Sequence, residues 1–253
     1  MAKIKLARVL ASGRLAITAE CQPPCSGDAA AIRKLSAALP PNLDAMVVAD
    51  NPGEIHGSAL ACAAILAAEG HTTVLSMVTR DRNRIALESD ALGAAALGVD
   101  AILCLSGDHQ SLGACPQAAG VYDIDSIQFA QALNRMRREG PNPLPEWLVG
   151  AAAHPYLQPI ELNLLRLKKK VAAGADFVLT QAVTDLAGFT RWMDAVRAAG
   201  LDQQVAILAG VATAGGGEMA AQLKSVPGVR GIHIFSGGCE SLAAGVIQQA
   251  GLA

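Results

Sequence analysis

The chain has 253 residues, of which 52% are hydrophobic and 17% charged, with a formal net charge of −2. That is ample material for a core and excludes a disordered chain. No long basic run and no apolar segment of spanning length occur, which argues against a nucleic-acid partner and against a membrane helix.

The first ten residues lack the uninterrupted apolar stretch of a signal peptide, and the six cysteines are scattered. A cytoplasmic, reduced protein is expected. The first strand is read at Leu15–Cys21, after the turn signal Ser12-Gly13, and Pro23-Pro24 stops it. A helix follows at Ala29–Leu39, with Ser26 or Asp28 as N-cap. The second strand, Leu43–Ala49, closes in Asp50-Asn51-Pro52-Gly53. Ser58–Glu69 is an alanine-rich helix stopped by Gly70. The third strand, Thr72–Val78, ends in Thr79-Arg80-Asp81-Arg82-Asn83. The next helix, Ile85–Leu97, sets Ile85, Leu92 and Ala96 on one apolar face.

Ile102-Leu103-Cys104-Leu105 reads as a buried fourth strand that ends abruptly in Ser106-Gly107-Asp108. The small pair lets a backbone approach a ligand, and a carboxylate follows at the strand's C-terminal mouth. A long loop, His109–Tyr122, leads to a helix capped by Asp123 or Asp125 and running towards Arg138. Gly140–Pro145 is a turn. The fifth strand, Trp147–Ala153, ends in His154-Pro155. Helix Ile160–Ala173 is expected to turn Leu162, Leu165 and Leu167 inward and its lysines outward. The sixth strand, Asp176–Thr180, has Gln181 at its tip, and Leu186–Ala199 carries Phe189, Trp192, Met193 and Val196 at core spacing. The seventh strand, Gln204–Leu208, leads into Gly210 and a short helix, Gly215–Val226. The eighth, Gly231–Phe235, ends in Ser236-Gly237-Gly238, and a last helix covers Glu240–Gln249.

Eight strands alternate with eight helices with no linker between units, which predicts one domain over residues 1–253, a (β/α)8 barrel. An open doubly wound sheet would need a glycine-rich phosphate loop where Pro23-Pro24 stands. In the barrel the eight strand tips meet at one mouth. Glu20 stands out there. It is the only charged residue between Ile17 and Asp28. Partial desolvation at the end of an apolar strand would raise its pKa and suit a general acid. The closest cysteine pair is Cys21-x-x-x-Cys25, without cysteine or histidine partners at zinc spacing, so no metal is expected. There is no Gly-x-Ser-x-Gly elbow. Gly215-Gly216-Gly217 could bind a phosphate or serve only as a turn.

Several motifs, in order, resemble the methylenetetrahydrofolate reductases, and among them the short forms of anaerobic one-carbon pathways. They are Ala19-Glu20-Cys21-Gln22-Pro23-Pro24, Thr79-Arg80-Asp81-Arg82-Asn83-Arg84, Leu92-Gly93 to Gly98 followed by the Ile102–Asp108 stretch, Ala153-His154-Pro155, Leu164 to Gly174 with Lys168-Lys169-Lys170, and Thr180-Gln181. The resemblance implies a flavin-dependent barrel that reduces 5,10-methylenetetrahydrofolate to 5-methyltetrahydrofolate. FAD is the implied flavin, with FMN as the other form, and the reductant is NADH, NADPH or a protein donor. Glu20 matches the general acid acting on the folate, and Asp108 the aspartate beside flavin and pterin. Ser58, Arg82, Asn83, Ser106, Gly107, His154 and Lys170 fall at flavin-contacting positions, and Gln181 and Asn51 on the folate side. A homo-oligomer or a hetero-complex is implied.

The pattern also departs from the family. Asn163 and Arg166 replace a flavin-binding Asp and Asn, His154 stands for a Tyr, and Ser76 for a flavin-contacting His. The segment after the seventh strand is shortened to Ala212–Val226, and Cys25 after Pro-Pro is unusual. A partner-dependent or non-catalytic barrel subunit, and a pterin-binding methyltransferase, are the alternative readings.

Overall fold

The apolar runs become eight parallel strands in the computed structural model, which describes residues 5–139 and 147–252. They are β1 (Ala16–Cys21), β2 (Ala45–Val48), β3 (Thr73–Val78), β4 (Ala101–Leu105), β5 (Leu148–Ala153), β6 (Phe177–Ala182), β7 (Ala206–Ala212) and β8 (Val229–Phe235). Each pairs with the next, and β8 returns to β1, so the sheet closes into a barrel. The helices are α1 (Lys5–Ser12), α2 (Ala29–Ala38), α3 (Ala59–Ala68), α4 (Arg84–Ala96), α5 (Ser126–Glu139), α6 (Ile160–Ala172), α7 (Leu186–Ala198), α8 (Gly216–Leu223) and α9 (Ala243–Gln249). This is the expected (β/α)8 barrel. The turn read at residues 140–145 lies outside the described residues.

Local chemistry sets the element boundaries. Side-chain oxygens of Asp28, Ser58, Asn83 and Asp185 accept backbone N–H groups at the starts of α2, α3, α4 and α7. Asp125, rather than Asp123, caps α5, accepting from the amides of Ile127 and Gln128. Asp123 is instead held by Arg84. The triglycine is a packing device: Gly215 has φ +70° at the N-cap of α8, and a Cβ on Gly217 would lie 2.5 Å from the Gln249 Cβ on α9.

Every other residue of each strand points into the barrel. Ala16, Val47, Val74, Leu103, Phe177, Leu179 and Leu208 fill its lower part. The Phe177 ring occupies the space that Gly150 leaves open, where a Cβ would be 2.4 Å from the ring. Below them α1 inserts Leu6 and Val9 and closes the N-terminal end. That helix has no counterpart in the sequence reading. Three aspartates repeat one stitch at the same end. Asp44, Asp100 and Asp176 precede β2, β4 and β6 and accept the amides of Ile17, Thr73 and Val149 at 2.9, 2.9 and 2.7 Å. Each joins an even strand to the odd strand before it.

Two helices are rotated from the expected orientation. In α4 the buried face is Leu87, Ala91 and Ala94, while Ile85 and Leu92 are exposed. In α6 Leu167 is buried as expected, but Leu162 and Leu165 are exposed, and Asn163 is buried in their place. The cause is the same in both. Where small or polar residues fit the groove against the sheet, the larger apolar ones are left outside, so side-chain size alone misplaces the stripe. The predicted last helix is broken after a short 3-10 turn, Glu240–Leu242, because buried Glu240 accepts the Gln22 amide at 3.0 Å.

Candidate active site

A cavity of about 400 Å³ opens at the C-terminal ends of the strands, the end where ligands bind in this fold. Its wall includes Glu20, Asn51, Ser106, Gly107, Asp108, Lys170 and Gln181. Seven residues singled out from the sequence thus meet at one mouth. His154 lines an adjoining recess of about 150 Å³ that shares Ala152, Lys170 and Gln181 with the main cavity. Ser58, Arg82 and Asn83 line neither. Ser58 and Asn83 are helix caps. Arg82 is engaged by Asp50, at 2.7 and 3.3 Å, and by Asp90.

Glu20 is set by β8. Its Oε2 accepts the Gly237 amide at 2.9 Å and the Ser236 hydroxyl at 3.4 Å. Oε1 has no protein partner among the described residues. The Ser-Gly-Gly turn therefore fixes one oxygen of the carboxyl group and leaves the other for the cavity.

The tip of β4 is built from the β3 side. Arg80 grips Asp81 through Nε and Nη2, both at 2.8 Å, and its Nη1 donates to the Asp108 carbonyl at 3.2 Å. Gly107 rests on the Arg80 stem with φ +80°, and a Cβ there would lie 3.1 Å from the Arg80 Cβ and 3.2 Å from the Val78 Cβ. The glycine brings the chain close and turns it, so that Asp108 follows at the exposed lip.

Lys170 breaks the expectation that the lysines of α6 face solvent. Lys168 and Lys169 do. Lys170 reaches under the end of β5, where Nζ donates to the Ala152 carbonyl. Burial lowers its pKa, and the neighbouring Arg166 lowers it further. No carboxylate of the described residues lies within ion-pair distance of either. Asp125 favours the charged form only from beyond ion-pair distance, and a largely desolvated cation with no direct counter-charge is costly unless an anion arrives.

Other residues of the wall escaped the sequence reading. His233 lines the cavity from β8, with Nδ1 3.0 Å from the Thr18 hydroxyl and its ring edge-on to Phe235. Burial depresses its pKa to about 3, so it is a neutral ring. The available signal was the period-2 pattern of β8, since Gly231, His233 and Phe235 alternate on one face. Thr180 ties β6 to β7 by accepting the Gly210 amide at 2.9 Å while donating to the Gln181 carbonyl.

A profile of the methylenetetrahydrofolate reductases matches residues 5–234. The chain belongs to the methylenetetrahydrofolate reductase family. Methylenetetrahydrofolate reductase 2 of Saccharomyces cerevisiae is 39% identical over 69 residues, which is 25% of this chain and 11% of the yeast protein. The chain thus aligns with only a small part of that relative. A Clostridium thermocellum protein described as binding two copies of 5-methyl-5,6,7,8-tetrahydrofolic acid superposes over 98% of this chain and all of its own, with a TM-score of 0.62 and 14% identity. Tryptophan synthase from M. tuberculosis superposes over 98% of this chain and 97% of its own, with a TM-score of 0.64 and 17% identity. At such identities the two structures share the fold alone.

The family implies a flavin, and the chemistry of the donor set fits one. Lys170 and Arg166, one helical turn apart, bring two unpaired cations to the recess beside the cavity, which suits a phosphate group. The departures from the family pattern become intelligible here. Asn163 points its amide at the loop, donating to the carbonyls of His154 and Leu157 at 2.9 and 3.2 Å, so it shapes the recess instead of reaching into it. Arg166 adds positive charge to the same recess. Among the described residues no helix is long and apolar enough to cross a membrane.

Proposed function

We propose that the protein is a flavin-dependent methylenetetrahydrofolate reductase. The observation that carries the reading is the meeting, in one mouth of a barrel of this family, of a positioned carboxyl group, an exposed carboxylate and an unpaired buried cation. When bound, the flavin would supply two-electron chemistry, accepting hydride from a nicotinamide, or two electrons from a protein donor with a proton from solvent, and giving hydride to the methylene carbon of the folate. The chain supplies everything else. Lys170 and Arg166 hold the phosphate and fix the cofactor's position. Ser106 and Gly107 present a small, close backbone edge to it. Asp108 and Gln181, with Asn51 across the mouth, orient the pterin.

Glu20 handles the proton. Opening of the imidazolidine ring breaks the bond between the methylene carbon and N10, and the electron pair stays on N10. A proton carried on the free Oε1 passes to N10, and the carboxylate left behind is stabilised by the Gly237 amide. The methylene carbon becomes a 5-iminium carbon able to accept hydride. Neutral His233 adds no competing charge to the cavity wall. Holding the partners in place in this way contributes through proximity and through a positioned acid.

The test is a purified protein with its absorbance spectrum and the mass of the extracted cofactor. Bound flavin, reduced under anaerobic conditions, should be reoxidised by methylenetetrahydrofolate with formation of 5-methyltetrahydrofolate. A flavin-loaded protein that shows no reoxidation overturns the proposal. A colourless protein that transfers a methyl group without flavin replaces it with the methyltransferase reading.

A further inference from the structure

Cys25, singled out as unusual after Pro23-Pro24, has no part in the chemistry above. In the fold it stands on the loop after β1, beside His56 and Glu54 on the loop after β2. One ligand atom from each of Cys25, Glu54 and His56 lies within 4.8 Å of the others. The Cys25 Sγ is 3.4 Å from the His56 Nδ1. That is the spacing of two ligands about a tetrahedral ion, given metal–sulfur and metal–nitrogen bonds of about 2.3 and 2.0 Å.

The two loops are locked in this arrangement by their backbones. Gly57 donates its amide to the Pro24 carbonyl at 2.9 Å, and a Cβ on Gly57 would stand 3.2 Å from that oxygen. The Asn51 side chain accepts the His56 amide at 2.9 Å, and the Gly53 carbonyl accepts the Ala114 amide at 2.8 Å. Pro23 and Pro24 stiffen the other loop. The histidine also has the support that metal-ligating rings use. Its Nε2 lies 3.0 Å from the Gln22 side-chain amide, which can accept the Nε2 proton once the amide is turned. Nδ1 faces the Pro23 carbonyl at 2.7 Å, so ligation moves its proton to Nε2 and exchanges the Pro23 contact for the ion.

We propose that Cys25, Glu54 and His56 form a zinc-type metal site at the rim of the cavity. A thiolate, an imidazole and a carboxylate together select a borderline ion such as Zn²⁺ over Mg²⁺ or Ca²⁺. The ion replaces the thiol proton, which leaves to solvent, and no electrons change hands. Cys25 and Glu54 are exposed, so the fourth position is open to water. The site clamps the loops after β1 and β2 where Asn51 and Gly53 line the cavity, so it acts on the order of the rim and not on hydride transfer.

The experiment uses the full chain, stripped with chelator and titrated with Zn²⁺ and, separately, Co²⁺. One ion per chain is expected, with a sulfur-to-cobalt charge-transfer band and the strong visible bands of a tetrahedral site. Cys25→Ser should remove both the charge-transfer band and stoichiometric binding, and Glu54→Gln and His56→Gln should abolish stoichiometric binding. Gln22→Ala, which removes only the support of the ring, should weaken binding about 10- to 100-fold. Cys239→Ser, at another exposed cysteine, should change nothing. Failure of the unaltered protein to bind, or binding that survives Cys25→Ser, overturns the proposal. These readouts need no flavin and no folate, so they stand or fall apart from the reductase reading.

Discussion

Replacing Glu20 with Gln tests the acid role while disturbing little else. The side chain keeps its length and an oxygen able to accept the Gly237 amide at the 2.9 Å contact. It loses the transferable proton. The carboxylic acid and the amide that replaces it are both neutral acceptors, and a neutral hydrogen bond contributes about 0.5–1.5 kcal/mol in either case. The cost in stability should therefore stay below about 1 kcal/mol, and the melting temperature should fall by no more than about 2–4 °C for a chain of this size. The kinetic cost is larger and confined to one half of the reaction. Loss of a positioned general acid slows a step by about 100- to 10,000-fold, or about 3–5 kcal/mol of barrier. Stopped-flow absorbance separates the halves. Flavin reduction by nicotinamide should keep its rate, and reoxidation of prereduced enzyme by methylenetetrahydrofolate should collapse. Equal loss in both halves would refute Glu20 as the folate acid and point to damage in the flavin site.

Four further perturbations follow from the same geometry. Lys170→Met removes a buried cation that has no carboxylate partner, so the apoprotein should hold or gain stability while flavin affinity falls about 10- to 100-fold, the worth of a charge-assisted bond; fluorescence titration and thermal melts check both signs, and a loss of stability with unchanged affinity would count against the anion site. The depressed pKa of Lys170 also gives flavin affinity a pH dependence: a bound phosphate favours the charged form, so affinity should weaken as pH rises through the lowered value, and Lys170→Arg should move that decline upward. Gly107→Ala must adopt φ +80° with its methyl pressed on Arg80 and Val78, which should cost about 1–3 kcal/mol by chemical denaturation and weaken folate binding through Asp108. His233 is neutral in the folded chain with its pKa lowered to about 3, whereas an unfolded histidine titrates near 6.5. The unfolded state binds the extra proton as pH falls from about 6.5 towards 3, so stability should drop by about 1.4 kcal/mol per pH unit from this group, and His233→Gln should flatten that part of the profile.

Periodicity and punctuation in the sequence were enough to place all eight strands. Strand ends were marked by Pro23-Pro24, Pro52-Gly53 and Ser106-Gly107, and helix starts by Asp28, Ser58 and Asn83. What periodicity could not supply was the rotation of α4 and α6 about their axes. Alanine-rich helices have no sharp apolar stripe, so Ala91 and Ala94 took the groove that Ile85 and Leu92 had seemed to claim. The resemblance to the family marked Lys170, but the pattern of α6 alone hid its inward turn for a related reason. A run of three lysines reads as a solvated face, and only the 100° step per residue sends the last of them under β5. The stitches of Asp44, Asp100 and Asp176 were present as a recurring aspartate before alternate strands, a signal that was there to be counted. The Cys25–His56 contact was beyond reach, because it joins two loops whose approach is set by Gly57 against Pro24.

Charge is laid out across the cavity in a way that orients what binds there. The carboxyl group of Glu20 belongs to β1, and the ammonium of Lys170 is held under β5, four strands round a closed ring of eight. The two stand on opposite sides of the mouth. A proton donor serves a basic nitrogen, and an unpaired cation serves an anion. A ligand pair whose phosphate lies over α6 and whose amine nitrogen lies over β1 satisfies both, and the reversed placement satisfies neither. Asp108 and Gln181, from β4 and β6, flank the line between them. The small residues at the tip of β4 then do more than permit a close approach: with φ +80° against Arg80 and Val78, Gly107 sets the lip from which Asp108 faces the mouth. The same layout explains why a neutral His233 is tolerated at the cavity wall. A charged ring there would compete with Lys170 for the anion and with Glu20 for the amine, and burial between Thr18 and Phe235 keeps it uncharged across the range in which the enzyme would work.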